Sequence, residues 1–175
     1  MLTVNREALL LCILDKRCLP GIQASSEIAL GCDLFWAEES SRFGLVEAVV
    51  GLTPGAGGTQ RMADRAGPAR AREFVMTAGL YDAARMYEWG VVNRVLPAAD
   101  LLEKSRTFAG RLAAGPTVAH VATKRIVRAQ ADHGTRGADE RTAALTSHLF
   151  ETQDSREAVQ SFLQHGPGKA TFTGK

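Results

Sequence analysis

Two carboxylates and one glycine run are the residues of this 175-residue chain whose types and spacing could do chemistry. Glu27 and Glu47 lie twenty positions apart, with a short apolar stretch between them. Paired acids that folding brings together can divide proton transfer, one taking a proton while the other gives one. Spacing alone leaves open whether they meet. Read locally, the commoner role of Glu27 is the acid of a helix's first turn, where the dipole favours negative charge. Glu47, between Val46 and Ala48, reads locally as a solvated loop acid. From Gly44 to Gly58 the chain carries Gly44, Gly51, Gly55, Gly57, Gly58 and Pro54, the composition of tight turns and of loops whose backbone approaches another group. This is no Walker loop, because no Gly-Lys-Ser/Thr follows, and Gln60 takes the place of the last glycine of G-x-G-x-x-G. A tight turn leading into a helix at Thr59 accounts for the same glycines.

The elements that must position these groups follow from periodicity and breakers. Ala8 to Leu14 reads as a short apolar helical segment, broken by Pro20 and Gly21. Ser25 and Ser26 offer capping hydroxyls to a helix over Glu27 to Cys32, and Leu34 to Ala37 reads as a buried strand. Helices are expected over Thr59 to Ala66, Ala69 to Thr77 and from Asp82 to Trp89, each closed by a following glycine. Val91 to Leu96, closed by Pro97, reads as a second strand, and Asp100 opens a helix to Ala114. Beyond Gly115 and Pro116 the apolar positions Val118, Val121, Ala122 and Ala129, then Leu145 and Leu149, then Ala158, Val159, Phe162 and Leu163, fall at helical spacing and read as packing helices. The tail from Gly166 to Lys175 reads as extended.

Composition narrows the classes. A chain of this length, 45% apolar, can bury one sizeable core. With 21 basic and 19 acidic residues in mixed order, the net charge of +2 gives no footprint for nucleic acid or an anionic membrane. Cys12, Cys18 and Cys32 lack zinc-site spacing and read as reduced structural thiols, and His120, His133, His148 and His165 are scattered. Ser40 and Ser41 sit in no nucleophile elbow. The apolar run near the start is too short to span a bilayer and no cleavage site follows it, so a cytoplasmic location is expected.

The stretches EIALGCDL, Glu27 to Leu34, and FGLVEAVVGLTPGAGGTQR, Phe43 to Arg61, carry a resemblance. They are similar to the crotonase superfamily patterns G-G-G-x-E-L-A-x-x-C-D, F-G-x-P-E and G-x-x-P-G-A-G-G-T-Q-R, and TAGLYDAARMYEWGVVNRV and the closing FTGK extend the likeness to the chain's end. The resemblance implies an α/β fold, a partial ββα spiral core over residues 1–100 followed by a helical C-terminal region over 101–175 of the trimerisation type. It implies an enoyl-CoA hydratase, adding water in syn fashion to a 2-enoyl-CoA thioester. Glu27 and Glu47 fall on the two family acids, although Leu45-Val46 replaces the common Q-P. By the resemblance Glu27 holds and activates the water and Glu47 exchanges the proton at the α carbon.

The charge pushed onto the thioester oxygen needs an oxyanion hole. In the family two backbone N–H groups supply it, one from an early loop not found here and one from a glycine run. Gln23-Ala24-Ser25 stands in place of that run, which puts Ala24 at the donor position, where its Cβ would penalise a positive φ. Gly55 lies beside the acyl site by the same resemblance. Only six residues separate Pro20 from Glu27, fewer than the family pattern holds. The resemblance implies no metal or redox cofactor, since the substrate carries its own coenzyme A, and a homotrimer or dimer of trimers. Three alternatives stay open: an impaired or inactive paralogue or fragment acting as an oligomer partner, an enoyl-CoA isomerase, and an acyl-CoA thioester hydrolase.

Overall fold

A computed structural model describes the backbone at residues 2–4, 9–14 and 22–175, and side chains at Cys12 and from Ser26 onward. The chain divides into two compact units, one chiefly Leu10–Thr107 and the other chiefly Phe108–Lys175.

The first unit is built on parallel pairing. Strand β1 is Leu2–Val4, β2 is Leu9–Leu14, β3 is Leu34–Glu38 and β6 is Arg94–Leu96, in sheet order β1-β2-β3-β6. Helix α1, Ile22–Leu30, lies between β2 and β3, which pair in parallel with Cys12 opposite Phe35. Parallel neighbours need such a crossover, and burial on both faces suits a continuous apolar run such as Leu34–Ala37. Phe35 and Ala37 enter the core, while Trp36 faces the other way with the Arg94 guanidinium 4.8 Å from its ring centroid.

Helices α2, Gly58–Ala66, and α3, Pro68–Met76, pack on each other. A two-stranded antiparallel ribbon joins β4, Arg42–Phe43, to β5, Tyr81–Asp82. Asp82 caps α4, Ala83–Glu88, by accepting from the Arg85 N–H at 2.8 Å, as its position before an apolar run predicts. The core gathers Phe35, Phe43, Leu45, Met62, Phe74, Met86 and Val91. Phe35 meets Phe43 edge to face at 5.5 Å, and each such side chain contributes about 1.5–3 kcal/mol by burial. Cys12 and Cys32 are buried thiols of this core, and Cys18 lies outside the described residues. A hydrogen bond with Cys12 draws the Cys32 thiol down to about 7, with burial opposing and Arg65 assisting.

Three expectations are corrected. The apolar run taken as helical is strand β2; six apolar residues have no periodicity to separate strand from helix, and pairing with β3 decides. Helix α1 starts at Ile22, so Ser26 is a buried interior residue and not a cap, and Gly31 and Cys32 form the turn that ends it through N–H bonds to Ile28 and Ala29. The second strand is only Arg94–Leu96. Val91 and Val92 instead donate to the Met86 carbonyl, and Asn93 pairs with Phe35 through both its backbone N–H and its side-chain oxygen.

The second unit is helical. Helix α5, Ala98–Ala113, runs into it; α6 spans Thr117–Thr146 with a break at Gly134, whose φ is 71°; α7 is Gln153–His165. Ala122, Ala129 and Ala138 are buried along α6. Val159, Phe162 and Leu163 on α7 are exposed by 58%, 58% and 79%, so that expected packing stripe has no cover within the chain among the described residues. The tail is tied down: Asp154 Oδ1 accepts from the Thr173 N–H and hydroxyl, Oδ2 accepts from the Gly174 N–H, and the Asp154 N–H donates to the Lys175 carbonyl.

Candidate functional site

Helix α1 carries Glu27 at its sixth residue, on the face toward the glycine turn that opens α2. This is a helix interior, not the first turn anticipated from the sequence, so dipole pairing is not what holds the carboxylate. Its Oε1 instead accepts two backbone hydrogen bonds, from the Ala56 N–H at 3.1 Å and the Gly58 N–H at 2.9 Å. Both end on one oxygen, and Oε2 accepts from no described residue.

The turn can make this approach because of its glycines. A Cβ at position 58 would lie 2.9 Å from both Glu27 Cγ and Oε1 and 2.8 Å from Leu45 Cδ1. Glu27 and Leu45 therefore flank the same glycine. Gly57 has φ 94°, a left-handed conformation that side chains resist, and the Arg61 guanidinium fills the space its Cβ would take. Arg61 also donates from Nη1 to the Ala56 carbonyl at 2.9 Å.

A cleft of about 380 Å³ opens here, lined by Glu27, Ile28, Gly31, Ala56 and Arg61. Glu47 and Gly55 are not among its lining residues. Glu47 starts a 3-10 turn, Glu47–Val50, where a plain loop was anticipated, two residues beyond the Leu45 that shares Gly58 with Glu27. Its Oε2 is buried without a hydrogen-bond partner among the described residues. Such an orphan is uncommon and is resolved by water or a ligand. Gly55 is exposed, with open space where a Cβ would stand.

Ala24 sits in the first turn of α1; its side chain lies outside the described residues. Its backbone is helical, so the positive φ that would have favoured glycine is not required. The N–H groups of a helix's first turn have no intrahelical acceptor and point outward with the positive end of the dipole. That is the property an oxyanion donor needs.

Arg65 was not singled out from the sequence. Its half-buried guanidinium, near the end of α2, donates to the carbonyls of Leu30, Cys32 and Val91, tying the end of α1 to the turn before β6. Desolvation lowers its pKa from the usual arginine value. Nothing in its local sequence set it apart from an exposed helix arginine. Among the described residues no group of three or more His, Cys, Asp or Glu side chains is arranged to hold a metal ion, and no helix is long and apolar enough to cross a membrane.

Comparison with known proteins bears on this geometry. The sequence model of the enoyl-CoA hydratase/isomerase family matches residues 21–175. A crotonyl-CoA hydratase of Syntrophomonas wolfei is 32% identical over 153 residues, covering 85% of this chain and 56% of that protein. A 2,3-dehydroadipyl-CoA hydratase of Escherichia coli is 33% identical over 141 residues, covering 81% and 55%. The chain thus spans about half the length of the curated relatives it matches. The crystal structure of an enoyl-CoA hydratase subunit I from Geobacillus kaustophilus superposes with a TM-score of 0.83 at 33% identity, covering 94% of this chain and 60% of that one. The α/β reading and the partial crotonase core with a helical C-terminal region agree with that superposition. With a family match over nearly the whole described chain and a shared fold, the protein belongs to the enoyl-CoA hydratase/isomerase family.

Proposed function

We propose that this chain is a hydratase of its family, adding water across the double bond of a 2-enoyl-CoA thioester through Glu27 and Glu47. The observation that carries this reading is the seating of Glu27. Two backbone N–H groups fix one oxygen of its carboxylate at the wall of a cleft, and the other oxygen remains to take a proton from water. In the proposed step, the water oxygen bonds to the β carbon as its proton passes to Glu27. The π pair moves toward the thioester oxygen, and the α carbon then takes a proton from Glu47. Glu27, left protonated, returns its proton through solvent to Glu47, so that the net change is the addition of one water and nothing leaves. The developing oxyanion is met by the Ala24 N–H at the start of α1, where the helix end favours negative charge.

Support for Glu47 is its buried oxygen, which has no hydrogen-bond partner among the described residues, and its closeness in sequence to Leu45, which touches the glycine that seats Glu27. Gly55 opens the same turn to an acyl chain. No metal or redox group enters this scheme, and coenzyme A arrives with the substrate. The exposed stripe on α7 suits a homo-oligomer, a trimer or dimer of trimers, with 101–175 as the assembling region and 1–100 as the catalytic core. A cytoplasmic location belongs to the same proposal.

The share of the relatives' length that the chain spans keeps a second reading in view, an impaired member acting as an oligomer partner. The test follows crotonyl-CoA by loss of its conjugated-thioester absorbance and by release of free thiol. Hydration that falls about 10²–10⁴-fold in Glu27→Gln supports the proposal. Thiol release or double-bond migration that survives Glu27→Ala points to a hydrolase or isomerase instead, and absence of any turnover in the unsubstituted chain favours the second reading.

A further inference from the structure

We infer that Arg61 is a positioning residue for Glu27, acting through the glycine turn rather than by touching the carboxylate. The inference rests on the hydratase reading for its kinetic consequence but not for its geometry.

Arg61 lies one turn into α2, and its side chain folds back over the turn that precedes the helix. Three contacts define the fit. Nη1 donates to the Ala56 carbonyl at 2.9 Å, the guanidinium lies against the Cα of Gly57, and the Arg61 N–H donates to the Gly57 carbonyl at 3.2 Å. The stem crosses the end of α1: a Cβ at Gly31 would come within 3.5 Å of Arg61 Nε and 3.8 Å of its Cδ. Arg61 is therefore laid between two glycines, one on each of the segments that meet at Glu27.

The peptide that Arg61 grips is the one beside the groups that grip Glu27. Ala56 offers its carbonyl to Arg61 and its N–H to Glu27 Oε1, and Gly58 adds the second N–H. Among the described residues Arg61 forms no ion pair with Glu27, so its effect passes through the backbone. The guanidinium is suited to this task because it presents several donors in a fixed plane, whereas a lysine keeps the charge on a flexible point donor.

The test uses the full 175-residue chain, labelled with ¹⁵N. The amide protons of Ala56 and Gly58 report their bonds to the Glu27 carboxylate, and Glu27→Gln sets the response to weakening that acceptor. Arg61→Ala is expected to shift both amides in the same direction as Glu27→Gln, Arg61→Lys less so, and added guanidinium ion to reverse part of the Arg61→Ala shift. Unchanged Ala56 and Gly58 amides in Arg61→Ala overturn the inference. In crotonyl-CoA hydration, Arg61→Ala is expected to lower kcat about ten- to a hundredfold with KM little changed, partly rescued by guanidinium ion. A raised KM at unchanged kcat makes Arg61 a substrate-binding residue and also overturns it. A wild-type chain without turnover defeats the hydratase reading, while the positioning claim is still decided by the two amides.

Discussion

One methyl group at Gly58 is enough to test the site at the scale of a residue. The position is buried, and a Cβ there would press on Glu27 Cγ and Oε1 and on Leu45 at once. Gly58→Ala is expected to displace the carboxylate rather than the helix, since position 58 needs no left-handed φ. Crotonyl-CoA turnover should fall about tenfold or more while thermal unfolding shifts by only a few degrees. A fully active Gly58→Ala chain would show that the seat of the Glu27 carboxylate tolerates a methyl group at position 58. Glu27, Glu47 and the glycine run were legible as candidates in the sequence because their residue types and order form a long motif, and of the two acids the structure puts Glu27 on the cleft. The Ala56 and Gly58 donors were not, because a backbone N–H carries no side-chain signature. Nor was Arg61, whose role depends on which way an exposed side chain folds.

Among the elements, the strands and helices with strong local signals were legible. Asp82 capped its helix, Leu34–Glu38 became a buried strand, and the glycine after Ala66 closed α2. Where local signal was weak, tertiary pairing decided. The six apolar residues of β2 could be read either way, and Ser26 looked like a cap although α1 had already begun at Ile22. The end of α3 shows another limit. Ala78, not the glycine that follows it, takes the left-handed φ of 51°.

The C-terminal tail was read only as extended, yet Asp154 binds it through Thr173 and Gly174. The backbone hydrogen bond from Thr173, opposed by burial and joined by those from Gly174 and the Thr173 hydroxyl, holds the Asp154 carboxyl below its usual range. A carboxyl lowered in the folded state stabilises above its unfolded value, and that stabilisation is lost as pH falls through the lower folded value. The tail amides of Thr173 and Gly174 are therefore expected to keep their hydrogen-exchange protection at neutral pH and to lose it as pH drops below about 4. Asp154→Asn should reduce that protection at neutral pH. Equal protection in the variant would show that the tail is held by other contacts.

At the scale of the whole molecule, the exposed stripe of α7 is the feature a lone chain does not explain. Val159, Phe162 and Leu163 recur at helical spacing and remain open to solvent, an exposure that suits the proposed homo-oligomer. Sedimentation is expected to give a mass of three chains or a multiple of three, and Phe162→Glu with Leu163→Glu to reduce it. A monomeric wild-type chain would contradict the homo-oligomer. The sequence supplied the periodicity of this stripe but not its exposure, since an apolar spacing looks the same whether its cover is internal or a neighbour.

In the proposed hydration two acids act across one double bond, and product stereochemistry reports that directly. Crotonyl-CoA is incubated in deuterated water with the wild-type chain, Glu27→Gln and Glu47→Gln, and the 3-hydroxyacyl product is analysed by NMR. In the two-acid mechanism the wild-type product is expected to carry deuterium at the α carbon and hydroxyl at the β carbon added to the same face, with little product from either variant. Addition to opposite faces, or wild-type turnover in Glu47→Gln, would contradict it.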